Sequence, residues 1–176
     1  MIGQIPMKKR VLIVDDDPAI RESVGKVLKG AGYEVSTAAD GEAAAVQFVP
    51  EQIDLVLLDL NLQSQSGWDV FERMTTQHPS VPIIIITGMP NQYQTALGAG
   101  VGALMEKPIE VPALLKTMEV LLAEPKETRL RRMLGYTTDT RYWQRPNAGA
   151  TGTSPRPLMK PRRRPRAHGG PRWTEK

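Results

Sequence analysis

Residues 53–59 read Ile53-Asp54-Leu55-Val56-Leu57-Leu58-Asp59, four consecutive apolar residues ending in a carboxylate. A run this short and this uniformly apolar suits a strand buried on both faces, as in the middle of a parallel sheet covered by helices. Val11-Leu12-Ile13-Val14 and Ile83-Ile84-Ile85-Ile86 repeat the pattern, the first leaving into Asp15-Asp16 and the second into Thr87-Gly88. Two less apolar stretches, residues 33–38 and Ala103-Leu104-Met105-Glu106, read as further strands, and the latter leaves into Lys107-Pro108.

Helical signals fill the gaps. Asp17 precedes Pro18, the arrangement of an N-cap and a first helical residue, and Ile20, Val24, Val27, Leu28 and Ala31 then share one face. Asp40 caps a second helix running to Phe48. Gly67 opens a third, with Trp68, Phe71 and Met74 turned inward. A weaker helix covers about residues 91–99, and a fifth about 110–123 carries Val111, Leu114, Leu115, Met118 and Leu122 on one side. Five strands alternating with five helices predict right-handed crossovers and an open parallel α/β sheet. The first, third and fourth strands are predicted central, the second and fifth at the edges.

Charge divides the chain. Residues 1–123 hold 9 basic and 15 acidic residues, whereas residues 124–176 hold 14 and 4. The basic character therefore belongs to the C-terminal part. The expected organisation is one domain over 8–123 and a basic tail over 124–176, mostly disordered, since residues 146–176 carry many Pro, Gly and Arg with little to bury. Leu130, Met133 and Leu134 with Arg129, Arg131 and Arg132 suggest a short basic amphipathic helix at the junction. Cysteine is absent, which excludes thiol chemistry and disulfides. No apolar run reaches the ~18 residues of a membrane span and no secretory signal opens the chain, so a cytoplasmic protein is expected.

Open parallel sheets bind ligands outside the carboxyl ends of their strands. The residues predicted there are Asp15, Asp16, Asp59, Thr87 and Lys107. Three carboxylates at one edge repel one another unless a cation joins them. Mg²⁺ suits such a set, since it keeps several waters and takes one or two carboxylates together with phosphate oxygens. Beside a cation, a carboxylate is able to attack phosphorus, with Lys107 and the Thr87 hydroxyl holding the equatorial oxygens. Gly98-Ala99-Gly100-Val101-Gly102 precedes a strand instead of following one, so it lacks the geometry of a dinucleotide loop.

Taken together, Val11-Leu12-Ile13-Val14-Asp15-Asp16, Asp54-Leu55-Val56-Leu57-Leu58-Asp59 with Gly67 eight residues on, Ile85-Ile86-Thr87-Gly88 and Glu106-Lys107-Pro108 resemble the receiver domain of bacterial two-component response regulators. The resemblance spans about residues 8–123. It implies a flavodoxin-like five-stranded sheet of order 2-1-3-4-5, and phosphorelay signalling in which Asp59 accepts a phosphoryl group from a histidine kinase, a phosphotransfer protein or a small phosphodonor. It also implies that Asp16 binds Mg²⁺ directly, Asp15 largely through water, Asn61 through its backbone carbonyl and Asp59 as the acceptor. Lys107 would pair with Asp59 and then with the phosphoryl group, Thr87 would turn inward, Lys107–Pro108 would be cis, and Gly88 would keep access open.

A phosphorylated chain would then alter its binding surface, expected on the fourth helix, fifth strand and fifth helix. A phosphorylation-dependent homodimer is among the implied partners. The chemistry is confined to the chain's own side chain, so it is not expected to be an enzyme acting on a separate substrate.

Three residues depart from the family pattern. Gln63 stands where Pro is common, and Leu104 where an aromatic usually accompanies the switching Thr. Met89, two after Thr87, is ill-suited to orient an attacking water, which implies slow self-dephosphorylation. Pro161-Arg162-Arg163-Arg164-Pro165-Arg166 supports an alternative role, transcriptional regulation through DNA contacts of the tail, or contact with acidic surfaces. It brings no helix-turn-helix pattern and no interleaved aromatics for stacking.

Overall fold

The computed structural model describes residues 8–49 and 51–145. Its strands are β1 (Arg10–Val14), β2 (Glu34–Ala38), β3 (Leu55–Asp59), β4 (Ile83–Thr87), β5 (Ala103–Glu106) and β6 (Arg141–Trp143). Its helices are α1 (Pro18–Gly30), α2 (Gly41–Gln47), α3 (Gly67–Gln77), α4 (Tyr93–Gly98), α5 (Val111–Ala123) and α6 (Lys126–Met133). The strands form one parallel sheet, ordered β2-β1-β3-β4-β5-β6.

Alternation along the central strands splits the core in two. Leu12, Val14, Val56, Leu58 and Ile85 pack with Phe48, Val70, Phe71, Met74 and Ala96 on one face. Val11, Ile13, Leu55, Leu57, Ile84 and Ile86 pack with Leu28, Leu114, Met118 and Leu121 on the other. Every residue of β3 and β4 is buried, as a doubly covered strand requires. Each fully buried Leu or Ile stabilises by about 1.5–3 kcal/mol, so a one-residue slip of either strand is excluded by the core itself.

Local signals set the helix starts. The Asp17 side chain accepts from the Ala19 N–H with Pro18 leading α1, and the Asp40 side chain accepts from the Ala43 N–H at α2. Ser66 caps α3 through the Trp68 N–H.

The register aligns the exits. Val14 lies opposite Leu58, Asp59 opposite Ile86, and Thr87 opposite Glu106. The residues that follow Val14 and Glu106, namely Asp15 and Lys107, therefore leave the sheet at the same edge as Asp59 and Thr87.

The five-stranded expectation needs correction, and so does the placing of β5 at the edge of the sheet. The sheet has six strands, β5 is internal, and residues 124–145 are folded against the domain. The junction helix forms as α6, but its buried face is not the apolar one. Arg129 and Arg132 are buried while Leu134 is 71% exposed.

The reason is an internal ion pair. Arg132 donates to both oxygens of Glu124, each at 2.7 Å. Arg129 donates to the carbonyls of Leu121 at 2.8 Å, Glu124 at 3.2 Å and Ser80. These acceptors offset the desolvation of two guanidinium groups. Gly100, at φ +70°, lets the chain before β5 meet α6 backbone to backbone, since a Cβ there would lie 2.6 Å from the Met133 Cα. Residues 146–176, including the Arg-rich stretch, lie outside the described residues.

Burial alone would raise the Glu124 carboxyl, but the Arg132 bonds and the charges of Arg132, Arg129 and Arg141 bring it below its ordinary 4.5. The stability it contributes is therefore present above pH 4.5 and is lost as pH falls through the lower folded value. Glu124→Ala should cost about 3–5 kcal/mol at neutral pH, because it strands two buried cations. Urea denaturation followed by circular dichroism checks this: the variant should also lose part of the parent's acid sensitivity, and an unchanged midpoint would contradict the ion-pair account.

Candidate functional site

Four strand exits converge at one edge of the sheet. Asp15 follows β1, Asp59 ends β3, Thr87 ends β4, and Lys107 follows β5. The Lys107 ammonium donates to Asp15 Oδ2 at 2.8 Å and to Asp59 Oδ2 at 2.6 Å. Both carboxylate side chains are 4% exposed. Their remaining oxygens are also held: Asp15 Oδ1 accepts from the Asp17 N–H and Asp59 Oδ1 from the Asn61 N–H, each at 2.9 Å.

Asp16 completes the group. One carboxylate oxygen from each of Asp15, Asp16 and Asp59 lies within 4.8 Å of the others. Among the described residues, Lys107 is the carboxylates' one cationic hydrogen-bond partner. Three negative charges against one positive leave a formal −2, which is a donor set and a charge suited to a divalent cation with oxygen ligands.

The electrostatics follow from burial and pairing. Burial raises the Asp15 carboxyl above its ordinary value, and the Lys107 and Asp17 bonds only partly oppose it. Lys107 balances the other way. Burial alone would lower its ammonium, yet its bonds to Asp15 and Asp59 carry it above the usual lysine value. Lys107 thus stays charged at any physiological pH, while the ionised Asp15 is held at a cost.

The other predicted residues are placed as follows. Thr87 is fully buried, and its hydroxyl accepts from the Met89 N–H at 2.9 Å, while its carbonyl accepts from the Lys107 N–H at 2.8 Å. Its hydroxyl is thus turned to its own loop, and among the described residues it makes no bond to Asp59. Asn61 joins the site through its backbone, in the bond to Asp59 already noted. The Lys107–Pro108 bond is cis. A Cβ on Gly88 would meet nothing within 4 Å, so packing does not demand glycine there. Gly67 is different. A Cβ there would lie 2.4 Å from both the Asp59 carbonyl oxygen and the Leu60 Cα, so its bareness lets α3 abut the end of β3.

Arg21 escaped the sequence reading. Its guanidinium donates to the Asp15 carbonyl at 2.6 Å and braces the β1 exit from one turn into α1. Four-residue spacing from Asp17, on the helix that starts at the site, was the available signal. A cleft opens beside the cluster between the loop after β3 and Met89, lined by Asn61, Gln63, Ser64, Gln65 and Trp68 among others.

Known proteins are similar to this chain in sequence and in fold. The family model of the response regulator receiver domain matches residues 11–119. The probable transcriptional regulatory protein TcrX of Mycobacterium tuberculosis is 30% identical over 114 residues, covering 64% of this chain and 49% of the relative. The chain spans about half the length of the curated relatives it matches.

Among solved structures, the CheY-like receiver domain protein of Methanospirillum hungatei superposes with a TM-score of 0.63 at 32% identity, over 69% of this chain and 98% of that one. The response regulator TrrA of Thermotoga maritima, solved in complex with Mg²⁺-BeF, reaches 0.58 at 32% identity, over 64% and 98%. A domain-length family match, these structural relatives and a clustered Asp15, Asp16 and Asp59 agree: the chain belongs to the response regulator receiver domain family.

Proposed function

We propose that Asp59 is the phosphoacceptor of a phosphorelay response regulator, charged by a histidine kinase, a phosphotransfer protein or a small phosphodonor. The observation that carries this reading is the Lys107 ammonium shared between Asp59 and Asp15 beside a third carboxylate. A carboxylate oxygen of Asp59 forms the new bond to phosphorus. The bond from phosphorus to the donor's nitrogen or acyl oxygen breaks, and its electron pair leaves with the donor.

Lys107 neutralises charge gathering on the phosphoryl oxygens. The Asn61 N–H and the Lys107 ammonium hold the Asp59 carboxylate in one orientation beforehand. Thr87 reaches the phosphoryl group only after its hydroxyl leaves the Met89 N–H, which makes it a candidate reporter of the phosphorylated state.

Mg²⁺ is the proposed cation, held by Asp15, Asp16 and Asp59 with the Asn61 carbonyl. When bound it supplies positive charge that offsets repulsion between an anionic nucleophile and an anionic phosphoryl group. The Mg²⁺-BeF complex of the Thermotoga relative supports this choice.

A second reading, association with DNA through residues 124–176, is favoured by 14 basic against 4 acidic residues there. Arg129 and Arg132 are buried and are lost to any phosphate contact. Among the described residues no helix is long and apolar enough to cross a membrane.

Incubation with acetyl phosphate and Mg²⁺ should add one phosphoryl group by intact mass, and none after chelation or in Asp59→Asn. Equal uptake by Asp59→Asn would sink the assignment. Met89 is 41% exposed beside Thr87 and offers water no hydrogen bond. Met89→Glu should therefore shorten the phosphoryl half-life by about tenfold or more, since a positioned carboxylate orients the attacking water. An unchanged half-life would count against that role for position 89.

A further inference from the structure

Without β6, β5 would present a row of unpaired backbone groups at the edge of the sheet, open to pairing with another strand. The chain covers that edge with its own residues. β6 runs parallel to β5, with Leu104 opposite Tyr142 and Met105 opposite Trp143. The Tyr142 ring stacks on Tyr93 of α4, centroids 4.7 Å apart and planes at 26°.

Its hydroxyl donates to Glu106 Oε1 at 2.5 Å, and the second Glu106 oxygen accepts from the Arg145 N–H at 3.0 Å. Arg145 Nε donates to the Lys107 carbonyl at 2.5 Å. At the other end the Thr140 hydroxyl donates to the Val101 carbonyl at 2.8 Å.

Lys107 is therefore shared. Its ammonium lies on Asp15 and Asp59, and its carbonyl holds Arg145. The strand it helps to seat is slight. β6 has three residues, all only part-buried, against a usual strand of about five or six. Pairing this short depends on the contacts through Glu106 and Lys107. Burial, the Glu106 bond and charge, and Tyr93 push the Tyr142 phenol up to about 12, so its O–H remains a donor throughout the physiological range.

We propose that residues 140–145 are a strand-form latch on the β5–α4 face, seated while Asp59 is free and released when Asp59 carries a phosphoryl group. This rests on the phosphoacceptor reading of Asp59. The ammonium lies 2.6 Å from Asp59 Oδ2, in space that a phosphoryl group on that carboxylate requires. The group also brings new anionic oxygens for the ammonium to follow.

The Lys107 main chain shifts with its side chain, Arg145 loses its acceptor, and Glu106, one residue back, turns from Tyr142. Three residues of pairing, the Tyr93 stack and the Thr140 bond to Val101 remain, and these hold the strand less firmly. Release uncovers the β5 backbone edge, Tyr93 and the otherwise buried Leu104. The face expected to carry output is thus masked by the chain itself at rest and offered after phosphorylation.

Hydrogen exchange by mass spectrometry on the full chain tests this, with intact mass recording phosphoryl occupancy. Amides of residues 141–143 should exchange about tenfold faster in the phosphorylated chain, with β4 unchanged. Tyr142→Ala should produce the same rise without phosphate. A fully phosphorylated chain with unaltered exchange at 141–143 would overturn the latch and leave Asp59 as the acceptor. Unaltered exchange in Tyr142→Ala would also overturn it. A chain that takes up no phosphoryl group would overturn the acceptor reading and the latch together.

Discussion

One ammonium group holds the molecule's chemistry in place. Lys107 reaches across 92 residues of sequence to Asp15 and 48 to Asp59, and bonds to both. Two carboxylates buried side by side repel each other unless a cation joins them. The parallel register makes the meeting possible. Each strand is fixed by an apolar core on both faces, so its terminal residue has one place to go. Burial raises the Asp15 carboxyl, and the bonds from Lys107 and the Asp17 N–H only partly oppose it.

The same residue connects the site to the edge of the sheet. The Lys107 side chain belongs to the acidic cluster and its carbonyl belongs to the C-terminal segment. The Lys107 N–H bonds to the Thr87 carbonyl, which ties the two neighbouring strand exits together. The residue that meets Asp59 with its side chain thus also meets the C-terminal segment with its backbone. Leu104 is part of this geometry. It stands where the receiver family often has an aromatic, and the strand paired opposite it brings Tyr142 against Tyr93.

Much of this was legible in the residues. The apolar runs at β1, β3 and β4 could be buried in only one way, and the polar residue after each run had to leave at the carboxyl edge. That reasoning found Asp15, Asp16, Asp59, Thr87 and Lys107 without coordinates. It missed what depends on backbone groups or on pairing between distant charges. Asn61, expected to act through its backbone carbonyl, also meets Asp59 through its backbone N–H. The Thr87 hydroxyl faces its own loop. Arg21 looks like any solvated helix residue until the Asp15 carbonyl is placed beside it.

The sixth strand was hidden for the same reason. Arg141-Tyr142-Trp143 carries no alternating pattern of its own, and the partners that seat it, Glu106 and Tyr93, lie far away in sequence.

The proton affinity of the Lys107 side chain, followed by nitrogen NMR through alkaline pH, tests the bridging role most directly. The shared ammonium should titrate above the ordinary lysine value of 10.5. In Asp15→Asn combined with Asp59→Asn it should fall below that value, because burial would then act unopposed. An ordinary or lowered titration in the unaltered chain would contradict the account.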